Sequence, residues 1–443
     1  MGIIHAKRHF DTTHFFSSTA QLFFPDKYTK AGYNKAMQIS ICRLCKYSNL
    51  REILDLGSQS FTGIFPSNRT ESVPIGPLTL MRCGNCGLVQ LNHNFDKNLM
   101  YGDNYGYESS LNSSMVDHLE KIYRSLLKIS QITPDSVVLD IGSNDATFLN
   151  FFNDLNVDRI GIDPTIKKFK SKYTSDICQV EAFFSKESFF QVSNKKASII
   201  TSISMLYDLE DPIEFAKELR ECLEDDGVWF FEQSYLKLMV ENIAYDTICH
   251  EHLSYFSAGT IERLLDESGF YVLQVETNLI NGGSIAIFAK KKLKGEWHCE
   301  EFKQLLETEA RDGMQTFEFY EKFAGEIIQH KSDLISVLLK LRDDGKTIMG
   351  LGASTKGNVL LQYVGIDSTL ISKIGEVNPE KFNCFTPGTL IPIITEEEVL
   401  SQSPDYLFIV PWHFKETFLV KTQKFRAAGG KLIFPLPKIQ IVT

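Results

Sequence analysis

SVVLDIGSNDATFL, residues 136–149, is the stretch whose reading decides the fold. An apolar, β-branched run ends in Asp140-Ile-Gly142-Ser143-Asn144-Asp145-Ala146, and a helix-like segment follows. A second apolar strand, RIGID, ends in Asp163. Strand, small-residue turn, helix, strand and acid make the nucleotide-binding half of a doubly wound α/β sheet. The turn lets the backbone approach a ligand, and the second acid accepts hydrogen bonds from a ribose diol. The dinucleotide fingerprint G-x-G-x-x-G is absent, since only Gly142 is present and Ala146 holds the last small position. An acid before the glycine suits the ammonium end of S-adenosylmethionine, which has no pyrophosphate to cradle. The cofactor set read here is Asp140, Gly142, Ser143, Asn144 and Asp163, with Met205 from a later strand end. An ordinary strand-to-helix turn is the plainer alternative.

Downstream, ASIITSISML (197–206) and GVWFFEQ (227–233) read as further strands around the amphipathic EDPIEFAKELRECL. Such alternation predicts a mostly parallel sheet, with ligands beyond the carboxyl ends of its strands. The last strand leads into a loop ending in His250-Glu251-His252. Metal hydrolysis needs H-E-x-x-H, two imidazoles one helical turn apart. Here they stand at i and i+2, so an extended segment would face both one way and Glu251 the other. Core histidines and a general base steered by a carboxylate both remain open.

Upstream, Cys42-Arg-Leu-Cys45 and Cys83-Gly-Asn-Cys86 form two C-x-x-C knuckles separated by 37 residues. Four thiolates make a closed tetrahedral set for structural zinc, with an inserted hairpin or loop in the spacer. A thiol-redox pair is the alternative. Removing the metal is expected to loosen this region without removing the base. Residues 98–127 read as a Tyr/Gly/Asn loop running into a helix from about Asn112, capped by Ser113 or Ser114. Tyr101, Tyr105 and Tyr107 of that loop are packing or ligand residues. Residues 1–37 read as a weakly structured leader.

After the base loop come a helix, two strands joined by Asn281-Gly-Gly-Ser284, and a charged helical stretch over about 300–342, read as a solvated connector. KTIMGLGASTKGNVLLQYVGI (346–366) restarts a strand, glycine turn and helix. Gly352 and Gly357 have P-loop spacing, but Asn358 and Val359 stand where Lys and Ser/Thr belong. The turn still offers Ser354, Thr355 and Lys356 near a helix N-terminus, suited to a phosphate or to structure alone.

Composition narrows the functions. The chain has 443 residues, 43% of them hydrophobic, and a formal net charge of −10. The acidic balance disfavours nucleic acid and anionic membrane surfaces, and no apolar run approaches the ~18 residues of a membrane span. Nine cysteines without a paired framework fit a reducing cytoplasm.

In this order the paired cysteines, YGDNYGYESSLNSSM, VLDIGSNDATFL, FFEQSYL, YDTICHEHLSYFS, GLGASTKGN and PWHF resemble the nucleotide-sugar C-methyltransferases, best defined by the sugar C-3 methyltransferases, over about residues 40–440. The resemblance implies a Rossmann-like methyltransferase core (96–294) between a small zinc-binding domain (38–95) and a Rossmann-like α/β domain (295–443) that closes over a nucleotide-linked sugar. It implies S-adenosylmethionine and structural zinc as cofactors, and His252 as the base acting on C3 of a 4-keto-6-deoxysugar. Glu251 resembles its active-site neighbour, and Tyr105 or Tyr107 a further active-site group. His250, Ser354, Thr355, Lys356 and Asn358 are assigned to substrate, in a cytoplasmic monomer. Two departures stand out. Cys249 occupies a position where the family can carry tyrosine, and Ala146 replaces a glycine, which a negative φ there would tolerate. The rival readings are an O- or N-methyltransferase and a zinc-containing binding protein with a degenerate core.

Overall fold

The structure is a computed structural model that describes residues 36–101, 106–293 and 295–443. The leader up to residue 35 and Tyr105 lie outside the described residues.

Val137–Ile141 is buried at all five positions, four of them apolar and the fifth Asp140. It sits centrally in a seven-stranded sheet of spatial order Ile177–Val180, Asp158–Ile162, Val137–Ile141, Ala197–Ile203, Leu223–Ser234, Ser284–Lys291, Phe270–Asn278. The first five strands are parallel, and Ser284–Lys291 runs antiparallel to both of its neighbours. Chain order reverses between Val137–Ile141 and Ala197–Ile203, the switch point at which open α/β sheets hold ligands. The turn 281–284 reverses the chain with φ of 54° at Asn281, 92° at Gly282 and 130° at Gly283. The helix before the central strand spans Ser113–Ile129, and its cap is Asn112, whose side chain accepts from Ser114 N. The shorter serine hydroxyls one and two residues on are already inside the helix.

At the N-terminal end, the expected hairpin between the knuckles is Leu50–Ser60 paired with Ile75–Cys83. Val89–Leu91 extends that sheet, and its fourth strand is Ser254–Tyr255, just after the His-Glu-His triplet. The C-terminal sheet runs Ile393–Thr395, Ile374–Glu376, Ile348–Leu351, Tyr406–Ile409, Lys431–Phe434, Gln440–Val442, parallel except at its last strand.

The charged stretch 300–342 is not a solvated connector. It forms helices Glu300–Arg311 and Phe317–Asp343, and the second buries Tyr320, Phe323, Ile327, Leu334 and Leu338. Those residues share one hydrophobic cluster with Leu54 and Leu80 of the zinc end, Tyr245 and Leu253 of the His-Glu-His loop, Ile348 of the C-terminal sheet and Leu361 of the helix Thr355–Val364. The apolar stripe at helical spacing outweighs the charge that dominates the same sequence. Glu309 turns inward as well. Its carboxylate accepts from Ala258 N (2.6 Å), Gly259 N (3.1 Å) and the Tyr235 hydroxyl (2.8 Å), and so caps the helix Ala258–Ser268.

Candidate functional site

A cavity of about 400 Å³ opens at the carboxyl ends of the central strands. Asp140, Gly142, Ser143, Asn144, Asp163 and Met205 line one side, and Glu251, His252, Ser354, Thr355 and Lys356 line the other.

The turn after the first strand builds the first side. Gly142 has φ of 76°, Asn144 48° and Ala146 61°, three left-handed residues in five. The condition set for Ala146, a negative φ, is therefore not met. Its methyl is packed in a cluster with Phe148 and Phe152, so burial offsets the roughly 1 kcal/mol that a left-handed conformation costs an L-residue. Asp163 accepts from Asn144 N (2.9 Å) and from Thr165 N (2.6 Å), which ties the ends of the first two strands together. Asn144 in turn holds Ser109 N (3.0 Å) and the carbonyl of Tyr107 (3.1 Å), so the tyrosine loop is clamped over the turn. Ser143 and the hydroxyl of Tyr173 stand 2.7 Å apart. Asp140 accepts from the Thr201 hydroxyl at 2.6 Å. Burial, reinforced by the charges of Asp163 and Asp145, pushes its carboxyl up to about 7. A carboxyl so placed is poised to ionise fully when a cation arrives. Tyr107 lines the cavity with 45% of its surface accessible, and the atoms crowded around its hydroxyl push it up to about 12.

On the opposite side, His252 hydrogen-bonds through Nδ1 to the Thr247 carbonyl at 2.8 Å. A carbonyl only accepts, so Nδ1 carries the proton and Nε2 keeps its lone pair. The ring packs on Tyr207 with centroids 4.2 Å apart. Burial, with the Lys356 charge adding to it, lowers the imidazole to about 3, so it is neutral throughout the physiological range. Burial raises the Glu251 carboxyl, and its Oε2 has no hydrogen-bond partner among the described residues. Asp208, which sequence reasoning missed, lines the same wall, and burial raises its carboxyl well above the usual range. Lys356 donates to the Asn281 carbonyl at 3.1 Å, and burial lowers its ammonium. Asp246 accepts from Trp412 Nε1 at 2.8 Å, and His413 of the PWHF motif reaches the cavity.

Two expected substrate residues are elsewhere. His250 does not line the cavity; its Nε2 meets the Gly76 carbonyl at 3.1 Å, with its ring between Phe61 and Phe95. The chain turns at 250–251 rather than running extended, so the two histidines do not face one way and Glu251 joins His252 instead. Asn358 is buried and donates to the Thr62 carbonyl at 2.8 Å, pinning the C-terminal helix Thr355–Val364 to the N-terminal end. Ser354 spends its oxygen capping that helix, accepting from Gly357 N at 3.1 Å.

The four sulfurs of Cys42, Cys45, Cys83 and Cys86 lie within 4.8 Å of one another. A tetrahedral zinc with bonds of about 2.3 Å needs sulfurs spaced by about 3.8 Å, and Cys42–Cys86 and Cys45–Cys83 each stand at 3.5 Å. The set fits zinc and leaves no coordination position open. The metal end also touches the base loop. Arg43, inside the first knuckle, donates to the carbonyls of Leu253 (3.3 Å) and His93 (2.9 Å), and Leu91 N donates to Leu253 O (2.9 Å). Zinc removal therefore cannot be expected to spare the loop that carries His252.

The sheet, its ligand cradle and the four-sulfur site define an S-adenosylmethionine-dependent methyltransferase with a structural zinc. Comparisons with known proteins refine that class. Family models match residues 42–101 as a zinc binding domain, 115–275 as a methyltransferase domain and 279–437 as a C-methyltransferase C-terminal domain. The C-methyltransferase NovU of Streptomyces niveus is 25% identical over 409 residues, 91% of this chain and 97% of that protein. A tRNA U34 carboxymethyltransferase of Campylobacter lari is 26% identical over 125 residues, 26% of this chain and 43% of that protein. Among solved structures, the N-methyltransferase NodS of Bradyrhizobium japonicum is 14% identical, with 41% of this chain and 98% of that one covered at a TM-score of 0.31. The chain is thus similar to a C-methyltransferase over nearly its whole length, and its last third matches the C-methyltransferase C-terminal domain.

Proposed function

We propose that the protein methylates C3 of a nucleoside-diphosphate 4-keto-6-deoxysugar, with His252 as the base. The observation that carries this reading is an imidazole held neutral, with its Nε2 lone pair free of the Thr247 contact, in the same cavity as the cofactor turn. Hydrogen on the carbon next to a ketone is acidic enough for such a base, because its loss leaves a delocalised enolate. In this mechanism Nε2 takes that proton, Thr247 holds the imidazolium by its Nδ1–H, and Tyr207 fixes the ring plane. Lys356 supplies positive charge to the oxygen on which the enolate charge gathers. Its nearness to His252 adds to the burial that lowers the free imidazole. Glu251 and Asp208, both shifted toward the neutral acid, serve as hydrogen-bond donors to the sugar's oxygens. Asp140 would hold the ammonium end of S-adenosylmethionine and Asp163 its ribose diol; the bound cofactor would supply an electrophilic methyl group to the enolate carbon, leaving as S-adenosylhomocysteine. The zinc domain, the core and the C-terminal domain divide the work as the resemblance implies: one braces the base loop, one holds the methyl donor, one closes over the substrate.

Two outcomes test this reading. Incubation with labelled methyl donor and a panel of 4-keto nucleotide sugars should place the new methyl on carbon. A methyl found on oxygen or nitrogen, or a substrate without a ketone, would remove the role given to His252. Cofactor affinity should also follow Asp140. Because the free carboxyl is raised to about 7 and a cation favours its ionised form, binding expels a proton. Affinity for S-adenosylhomocysteine, which keeps the ammonium, should fall about tenfold per pH unit below that value and level off above it. A flat titration between pH 5.5 and 8.5 would place the ammonium elsewhere.

A further inference from the structure

Methyl transfer needs two ligands at once, and a cavity of about 400 Å³ is near the lower end of what a single drug-sized ligand fills. A second cavity, of about 370 Å³, continues from the first and shares Gly63, Gly106 and Lys381 with it. Among the described residues its walls carry Lys167, Lys168 and Lys381 against one carboxylate, Glu380, with Phe65 and Asn378 beside them. In a chain of net charge −10, three ammonium groups on one cavity concentrate positive potential where the rest of the surface is acidic. Lys381 is a fixed group rather than a solvated surface lysine. Its side chain is 12% exposed, and its Nζ donates to the Ala353 carbonyl at 2.9 Å and lies 4.6 Å from the centre of the Phe65 ring. The nearby Glu376 stays 3.9 Å away, and one of its oxygens is committed to the backbone N–H groups of Val377 (2.7 Å) and Asn378 (3.0 Å). The hydrogen bond to Ala353 thus leaves Lys381 with a longer ion-pair contact to Glu376 and room to donate to a ligand. Lys168 is paired with Glu380 at 2.9 Å, an exposed carboxylate that an anionic ligand can displace.

We propose that this cavity binds the diphosphate of the nucleotide-linked substrate, with Lys381 as its fixed anchor and Lys167 and Lys168 closing on it from the methyltransferase side. The inference rests on the nucleotide-sugar reading above and moves the phosphate away from the glycine turn at 352–357. There Ser354 is occupied as a helix cap and Lys356 donates to the Asn281 carbonyl. Phe65, beside the anchoring ammonium, offers a face for the nucleobase.

The test is calorimetric titration of wild type, Lys381→Gln and the double variant Lys167→Gln/Lys168→Gln with dTDP, UDP and inorganic pyrophosphate, each alongside S-adenosylhomocysteine. Wild type should bind a nucleoside diphosphate, and pyrophosphate should compete with it. Lys381→Gln should weaken that binding tenfold or more and the double variant severalfold, with S-adenosylhomocysteine affinity unchanged in both, which also reports that they are folded. Undiminished nucleoside diphosphate binding in Lys381→Gln would overturn the site while leaving the substrate class standing. Loss of S-adenosylhomocysteine binding in place of nucleotide binding would assign the lysines to the cofactor and overturn it too. Wild type that binds S-adenosylhomocysteine but neither nucleoside diphosphate nor pyrophosphate would bring down both readings.

Discussion

Replacing His252 with asparagine should lower kcat by about 10²–10⁴, the usual worth of a positioned general base, while folding and cofactor affinity hold. Asparagine suits the test because its amide nitrogen can take over the donation that Nδ1 makes to the Thr247 carbonyl. The loop then keeps its internal bond, and what disappears is the Nε2 lone pair. A glutamine would reverse this, reaching toward the cavity and breaking the Thr247 contact, so it should be worse for stability as well as for rate. The pH dependence adds a second readout. With the free imidazole lowered to about 3 by burial and Lys356, His252 is already a free base at pH 5. At saturating cofactor, the acid limb of kcat/KM should lie well below the ordinary histidine value of about 6.5. In Lys356→Met, where the cationic neighbour is gone, that limb should move upward, and kcat should fall if the ammonium carries enolate charge. Unchanged methyl transfer in His252→Asn would end the base assignment.

The turn proposed to hold the cofactor is legible in the sequence because its logic is local. A continuous apolar run, a glycine and an acid after each of two strands fix one crossover unit, and the structure brings Asp140, Gly142 and Asp163 to one edge. The zinc ligands are legible for the same reason, since each knuckle is a four-residue motif and the pairing of knuckles follows from the metal's need for four ligands. The base side is legible only in part. Which histidine faces the cavity depends on a turn at 250–251 and on the Gly76 carbonyl, 174 residues away in sequence, and no period within CHEHL carries that information. Asn358 misleads similarly. It stands in a phosphate-like motif, yet its partner is Thr62 on the far end of the chain. Asp208 and Lys381 were passed over because neither belongs to a motif. They matter through burial in a cavity that only the assembled fold creates. Ala146 shows a different limit, since small size at a turn is visible in sequence but the sign of φ is not.

Removing the zinc should cost more than the N-terminal end. Structural zinc sites of this kind bind with apparent free energies of about 10–16 kcal/mol in small peptides, comparable to the whole ~5–15 kcal/mol stability of a domain. Without it, two knuckles and one hairpin have little core of their own, and the sheet they nucleate should come apart. That sheet holds Ser254–Tyr255 as its outer strand, in register with Val89 and Gln90. Arg43 and Leu91 both reach the carbonyl of Leu253, the residue after His252. The four-sulfur site is thus one residue from Arg43, and Arg43 one hydrogen bond from the neighbour of His252. Among the described residues no hydrogen bond joins the knuckles to the turn at 142–146; Cys42 and Cys83 meet its strands only through the apolar cluster they share with Leu139 and Ile141. Chelation, or Cys83→Ser, should therefore abolish bound zinc and lower kcat by at least tenfold, with S-adenosylhomocysteine affinity changed only a few-fold. Limited proteolysis should open first within residues 42–94. Arg43→Met separates the two effects: it keeps the thiolates and the metal, so zinc content should stay near one per chain while kcat still falls, because the buried carbonyl of Leu253 loses a charged donor. A zinc-free protein that turns over normally would show that the metal braces only its own knuckles, and that the strand pairing at 254–255 holds the base loop without it.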